Sequence, residues 1–263
     1  MYRAVARRKL QSLLLACYRY ALGTGLLSTR YGAAVFEAAY WWYKLRIEAR
    51  DTDLLRAYVG DGGNVIDVGA NIGFFTLKFA SWVGASGRVF AIEPEPNNFA
   101  RLSERVRREG YSSRVCLAEA AAAEGPGELR LAVNPGNPMD HRLADEGLSV
   151  RAITLDDLCA GAGWPTICLV KIDVQGAEAR VIGGARQLLT CSSPAIFVEI
   201  EASSAPGAEN GTLLIDDLAS LGYTPHTLEE GGARRIDGTD HAIALARRSG
   251  YIDFLFLKTM EAG

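Results

Sequence analysis

The sequence lacks several features that would assign it to particular protein classes. Its five cysteines (Cys17, Cys116, Cys159, Cys168 and Cys191) are odd in number and none stand in CxxC spacing. That pattern argues against a zinc site or a disulfide framework and for free thiols in a reducing cytosol. The apolar stretch over residues 10–27 is interrupted by Gln11, Arg19, Gly23 and Gly25, short of the ~18 to 20 clean residues a spanning helix needs. It also lacks a small-residue cleavage site behind a short apolar core, so no secretory signal is read. Positive charge is not in excess, the net being -3, which argues against a surface built for nucleic acid. Internal repeats and long low-complexity stretches are absent. With 263 residues and 49 % hydrophobic content, the chain is neither disordered nor fibrous and is long enough for one well-cored domain.

The charge that is present is unevenly placed. Residues 1–50 hold nine Lys or Arg against Glu37 and Glu48, so a head of +7 precedes a body of -10. Residues 1–59 read as a helical extension, with no β-alternation and no internal Pro through the aromatic run at 40–43. Arg3, Arg7 and Arg8 flank Leu10, Leu13, Leu14 and Leu15. Two readings of residues 1–28 stay open: a helix capping the domain, or a basic amphipathic helix on a membrane surface. From residue 60 onward the pattern changes. Short Val-, Ile- and Phe-rich runs at 64–68, 88–92, 114–118, 166–172, 195–200, 222–228 and 252–257 alternate with helical stretches, the signature of a parallel sheet with helices on both faces. TLDD at 154–157 has the form of a helix capping box. Residues 125–138 and 203–207, rich in Gly, Pro, Ser and Asn, read as loops.

The chemistry begins at VIDVGANIGFFTL, residues 65–77. A buried strand ending at Asp67 runs into a turn at Gly69 and Gly73, and the helix that follows aims amide groups at a ligand. The dinucleotide fingerprint needs GxGxxG, but here Asn71 stands at the middle position and the pattern is DxGxxxG. That form is seen in enzymes using S-adenosylmethionine (SAM). Glu93, in VFAIEPEP, lies 24 residues after Gly69 at the next strand's end, where a carboxylate accepts from both ribose hydroxyls. Glu119, in CLAEAAAAEG at 116–125, sits beside the position of an adenine in such folds.

TLDDL at 154–158 and LVKIDVQGAEARVIGGA at 169–185 complete the pattern. With the first two motifs they resemble the FkbM family of SAM-dependent methyltransferases, over residues 60–258 and including EIE at 199–201 and LGY at 221–223. The resemblance implies a Rossmann-like class I methyltransferase fold, α/β, with a mostly parallel seven-stranded sheet in residues 60–263. It implies O-methylation of a hydroxyl on a sugar, glycolipid or polyketide-type natural product. It further implies SAM contacts at Asp67, Gly69, Ala70, Asn71, Gly73 and Glu93, and a site-lining role for Asp173. The family's usual Glu is Gln175 here, so one acidic group is missing and no metal site is expected.

Methyl transfer to oxygen requires alignment and a proton acceptor. At the carboxyl edge of the sheet the candidates are Asp173, Glu199 and Glu201, and His141, the last in PMDHRL. Asp173 alternatively holds the helix start at Gly176 and Ala177. Two further readings are weighed. A nicotinamide-dependent oxidoreductase is suggested by Tyr40 and Lys44 in YxxxK spacing, but that pair precedes the glycine loop instead of following it. A SAM-binding module without catalysis has the same motifs. The expected partner is a small hydroxylated molecule and no nucleic acid, and the expected location is cytoplasmic, with membrane contact through residues 1–28 as the open alternative.

Overall fold

The computed structural model describes residues 52–134, 141–202, 204–229 and 231–258, together with Tyr20 and Thr24. The basic head, the aromatic run 40–43, the Tyr40 and Lys44 pair and residues 138–140 of PMDHRL lie outside the described residues.

A 3-10 helix (Asp53–Tyr58) leads into β1 (Asn64–Val68), α1 (Phe74–Trp82), β2 (Val89–Ile92), α2 (Pro96–Arg108) and β3 (Val115–Ala118). Strands β4 (Ala121–Ala122), β5 (Gly127–Ala132), β6 (Arg142–Ala144) and β7 (Leu148–Ile153) follow, then α3 (Leu155–Gly161) and β8 (Ile167–Ile172). The chain continues through α4 (Glu178–Gly183), α5 (Arg186–Cys191), β9 (Ala195–Glu201), α6 (Ala205–Ser220), β10 (Tyr223–Glu229), β11 (Gly232–Arg235), α7 (Thr239–Ser249) and β12 (Tyr251–Lys258). Among the described residues the main sheet has eight strands in the order β11-β10-β12-β9-β8-β1-β2-β3.

The five central strands β9, β8, β1, β2 and β3 are parallel, while β12 runs antiparallel to β9 and β10. The strands bury both faces because apolar residues occupy both sets of alternating positions. In β1, Val65 packs with Phe79, Val89 and Leu169 on one face, and Ile66 and Val68 pack with Ile92, Val170 and Val198 on the other. Leu55 and Val59, fully buried, join the first of these clusters.

The seven runs read as strands all lie in this sheet. The structure adds β11, whose GARR has no apolar face to betray it, so the sheet has eight strands rather than seven. It also adds a second sheet, β4-β7-β5-β6, with its own small core of Ala121, Leu131 and Val150. Residues 127–132 therefore form a strand where a loop is expected. GELRLA is largely exposed and owes its form to antiparallel pairing with 148–153 rather than to burial. Residues 203–207 are also not all loop: Ser204 caps α6, its side chain accepting from the Gly207 N–H at 3.2 Å, with a Pro in the first turn. Thr154 caps α3 in the same way, accepting from the Asp157 N–H at 2.8 Å, as its motif predicts.

Candidate active site

The turn after β1 is built by contacts within the protein. Gly69 adopts φ +71°, and a Cβ there would collide with the Asp173 carbonyl oxygen at the end of β8. Gly73 adopts φ +95° as the cap of α1, and a Cβ would stand 2.8 Å from Leu102 on α2. Both glycines therefore let neighbouring elements close onto the turn. We expect Gly69→Ala to lower unfolding stability by roughly 3 kcal/mol or more, since it adds a clash to a strained φ; chemical denaturation measures this.

Asn71 takes the left-handed conformation at φ 51°, which Asn tolerates better than most residues. Its side-chain oxygen accepts from the Ile72 N–H at 2.7 Å, and its own N–H donates to Glu93 Oε2 at 2.7 Å. Glu93 Oε1 accepts from the Glu95 N–H at 3.0 Å. The Glu93 side chain is buried, and burial pushes its carboxyl up to about 7, against the pull of those two N–H groups and of the Lys171 charge.

Under the turn lies a residue that motif reasoning passed over. Lys171, the last residue but one of β8 and opposite Asp67 in register, is 3 % exposed. Its ammonium donates to the Gly69 carbonyl at 2.9 Å and the Val68 carbonyl at 3.3 Å. It faces Asp67 Oδ1 at 3.2 Å, Asp173 Oδ2 at 3.7 Å and the Phe75 ring at 5.1 Å. Asp67 is fully buried and its Oδ2 accepts from Thr76 Oγ1 at 2.6 Å, while Oδ1 meets Lys171 as a charge contact without an aligned hydrogen bond. The signal was a lysine inside the apolar run ICLVKI, where a charge is kept only if it is paired.

These elements frame a cleft at the carboxyl edge of the parallel strands, about 930 Å³ of non-atom space with its mouth included. Gly69, Ala70, Asn71 and Glu93 line one side, and Ala120, Ala121 and Ala122 form a wall of small side chains. Asp173, Gln175 and Lys171 lie on another side, with Leu131, Leu143 and His141 from the second sheet and its flank. The second sheet is thus a wall of the cleft, which no sequence motif announced. Asp67 and Gly73 stand behind the loop and do not line the cleft. Glu119 is exposed and away from it, the wall there being made by the alanines that follow. Glu199 is also absent from the lining; it stands one pair short of the end of β9, in register with Asp253 of β12.

Two details bear on proton transfer. Asp173 Oδ1 accepts from Gln175 Nε2 at 3.1 Å, so the amide orients the carboxylate where a Glu would repel it. His141 Nδ1 accepts from the Asn134 N–H at 3.1 Å, which puts the proton of the neutral ring on Nε2. The ring then offers a donor, so its geometry argues against use as the base. Among the described residues no group of three or more His, Cys, Asp or Glu is placed to hold a metal ion. None of the described helices is long and apolar enough to cross a membrane.

The parallel core with its antiparallel β12, and a cleft at the carboxyl ends under a glycine turn and a ribose-type acid, define a class I methyltransferase fold. A solved protein from Clostridium thermocellum, provisionally assigned as an rRNA-methylase, has the same fold at 15 % identity and a TM-score of 0.50, covering 81 % of this chain and 96 % of that one. The family model for the methyltransferase FkbM domain matches residues 67–234, and the chain belongs to that family. Relatives include the 2-O-methyltransferase NoeI of Sinorhizobium fredii, 30 % identical over 48 % of this chain and 58 % of that protein. The hexuronic acid methyltransferase AglP of Haloferax volcanii is 30 % identical over 53 % of this chain and 56 % of that protein. The chain thus spans a little over half the length of these relatives.

SAM, the cofactor the family implies, fits the residues present. The buried Glu93 carboxylate retains lone pairs for a diol beyond its two backbone bonds, and the alanine wall leaves room for a flat ring.

Proposed function

We propose that the protein is a SAM-dependent O-methyltransferase acting on a hydroxyl of a sugar, glycolipid or polyketide-type natural product. The observation that carries the reading is that Glu93 and Asp173 line one cleft from opposite sides of the glycine turn. When bound, SAM supplies an electrophilic methyl group on its sulfonium. The chain's own residues do the rest. Glu93 accepts from the cofactor's ribose hydroxyls, and the 69–71 turn and the alanine wall bound the cofactor side of the cleft. Leu131 and Leu143 keep water from the remaining wall, which favours alignment of the acceptor oxygen.

In this reading Asp173 takes the proton of the acceptor hydroxyl. Gln175 supports that role by fixing the carboxylate through its amide, and the Lys171 ammonium faces the other carboxylate oxygen at 3.7 Å. Asp173→Asn is expected to lower kcat about 100-fold with unchanged affinity for S-adenosylhomocysteine (SAH). The test is transfer of labelled methyl from SAM to a panel of sugars, glycolipids and polyketide alcohols, with SAH titration in parallel. Failure of the full chain to bind SAH overturns the function, and an Asp173→Asn enzyme of full activity overturns the assignment of the base.

Residues 1–28 carry a second part of the proposal. Their basic and leucine-rich sequence supports one of two roles in a cytoplasmic protein, a cap over the domain or contact with an anionic membrane. Equal co-sedimentation with anionic liposomes by the full chain and by a chain lacking residues 1–28 removes the membrane role.

A further inference from the structure

A second cleft opens at the same edge of the sheet, about 460 Å³ of non-atom space with solvent included. Arg142, Glu178, Glu201, Ser204 and Asn210 line it over an apolar floor of Ile200 and Leu214. It shares its walls with the first. At the start of β6, Leu143 and the preceding His141 face the cofactor-type cleft while Arg142, between them, faces the second, in the alternating manner of extended chain. The loop after β8 divides in the same way: Asp173 and Gln175 face the first, Gly176 and Glu178 the second. Helix α6 closes the far side. It approaches β9 closely because Gly211 and Gly207 face it, where a Cβ would stand 2.6 Å from Ile200 Cγ2 and 2.9 Å from the Glu201 carbonyl oxygen.

We infer that this second cleft is the acceptor subsite, and that it takes a neutral polyhydroxylated ring and rejects a carboxylated one. The inference rests on the methyltransferase reading above. The lining supplies what a sugar ring needs. Two carboxylates accept from hydroxyls, Arg142 and Asn210 donate to ring or hydroxyl oxygens, and Ile200 and Leu214 meet the C–H face. The loop it shares with Asp173 sets a ring seated here beside the carboxylate proposed to take the proton.

The rejection of acids follows from charge. Among the described lining residues two carboxylates stand against one guanidinium, and that guanidinium already meets Glu201 Oε2 at 3.1 Å. The Glu178 carboxyl feels the same field: burial raises it above the ordinary range, and the charges of Asp173 and Glu201 add to this, while the Gly176 N–H at 2.9 Å opposes it. A carboxylated sugar brings a third negative charge into that space, with an added desolvation cost.

The experiment uses the full chain loaded with SAH, and saturation-transfer NMR with methyl glycosides of a hexose, a 6-deoxyhexose and an N-acetylated amino sugar, each compared with a hexuronate. At least one uncharged ring is expected to bind ten-fold or more tightly than the hexuronate. Glu178→Gln, which keeps the shape and the acceptor for Gly176, is expected to weaken that ring about ten-fold and to narrow the gap. The Glu178→Gln, Glu201→Gln double variant is expected to abolish the preference. Unchanged SAH affinity in both variants shows that they are folded. Equal binding of the hexuronate, no binding of any uncharged ring, or indifference to both variants overturns the subsite. Failure to bind SAH in the first place instead overturns the methyltransferase reading.

Discussion

Glu93→Ala is expected to weaken SAH binding by 100-fold or more in calorimetric titration of the full chain. The Glu93 side chain is buried, and each hydrogen bond from a ligand hydroxyl to its ionised form contributes about 1.5–3 kcal/mol. Losing two of them is therefore worth about 3–6 kcal/mol, well above the 1.4 kcal/mol that makes a factor of ten. The substitution also deprives the Asn71 and Glu95 N–H groups of their acceptor, so the glycine turn loosens in the same step.

The raised Glu93 carboxyl gives the wild type a pH dependence of stated sign. A diol donates to the ionised form, so affinity for SAH rises as the pH passes upward through about 7. Between pH 6 and pH 8 the ionised fraction changes about ten-fold, and Kd should tighten by about the same factor. Stability moves the other way. A carboxyl whose folded-state value lies above its unfolded value of 4.5 contributes stability that is present below 4.5 and lost as the pH rises through about 7. The loss is about 3 kcal/mol for the unliganded protein. Thermal melts should therefore show the apo protein weakening from pH 5 to pH 8, with SAH restoring it most at the alkaline end. A Kd that stays flat from pH 6 to pH 8 removes Glu93 from the ribose site.

What the sequence revealed and what it hid follow from how each element is stabilised. The central strands were legible because VIDV, VFAI and ICLVKI are buried on both faces and keep an apolar character that no other environment demands. Glu93 was legible because its position is fixed by local spacing from the turn. The second sheet was not: GELRLA and LSVRAI each bury little, and their form comes from pairing with one another across 21 residues, which a local window does not register. Of the two carboxylates that end β9, Glu199 lines neither cleft. A strand end places carboxylates near the edge, but Glu199 and Glu201 share a face of β9, and Glu201, at the last position of the strand, is the one that reaches a cavity. Gln175 is the converse case. It looked like a loss of charge, and in the fold it is a donor to Asp173.

Lys171→Met should cost about 3–5 kcal/mol of unfolding free energy, measured by chemical denaturation. The ammonium is the cation facing a fully buried carboxylate, and removing one partner of such a pair leaves an uncompensated charge in the interior. It also strips the donor from the Gly69 and Val68 carbonyls. Met matches the length of the lost stem, so a cavity is a minor part of the effect. The origin of the loss is tested by coupling. Asp67→Asn alone leaves the lysine facing a neutral amide and keeps an acceptor for Thr76, and it too should destabilise. The Asp67→Asn, Lys171→Met double variant removes both charges together. It should be more stable than the sum of the single losses predicts, by about 2 kcal/mol or more. Additive losses would mean that Lys171 acts through packing against Phe75 and its carbonyl partners, with the charge of Asp67 playing no part. With coupling present, the buried pair ties the turn that faces the cofactor to the strand end that carries Asp173. Weaker SAH binding and a lower kcat are then expected together in Lys171→Met, whereas Asp173→Asn lowers kcat alone.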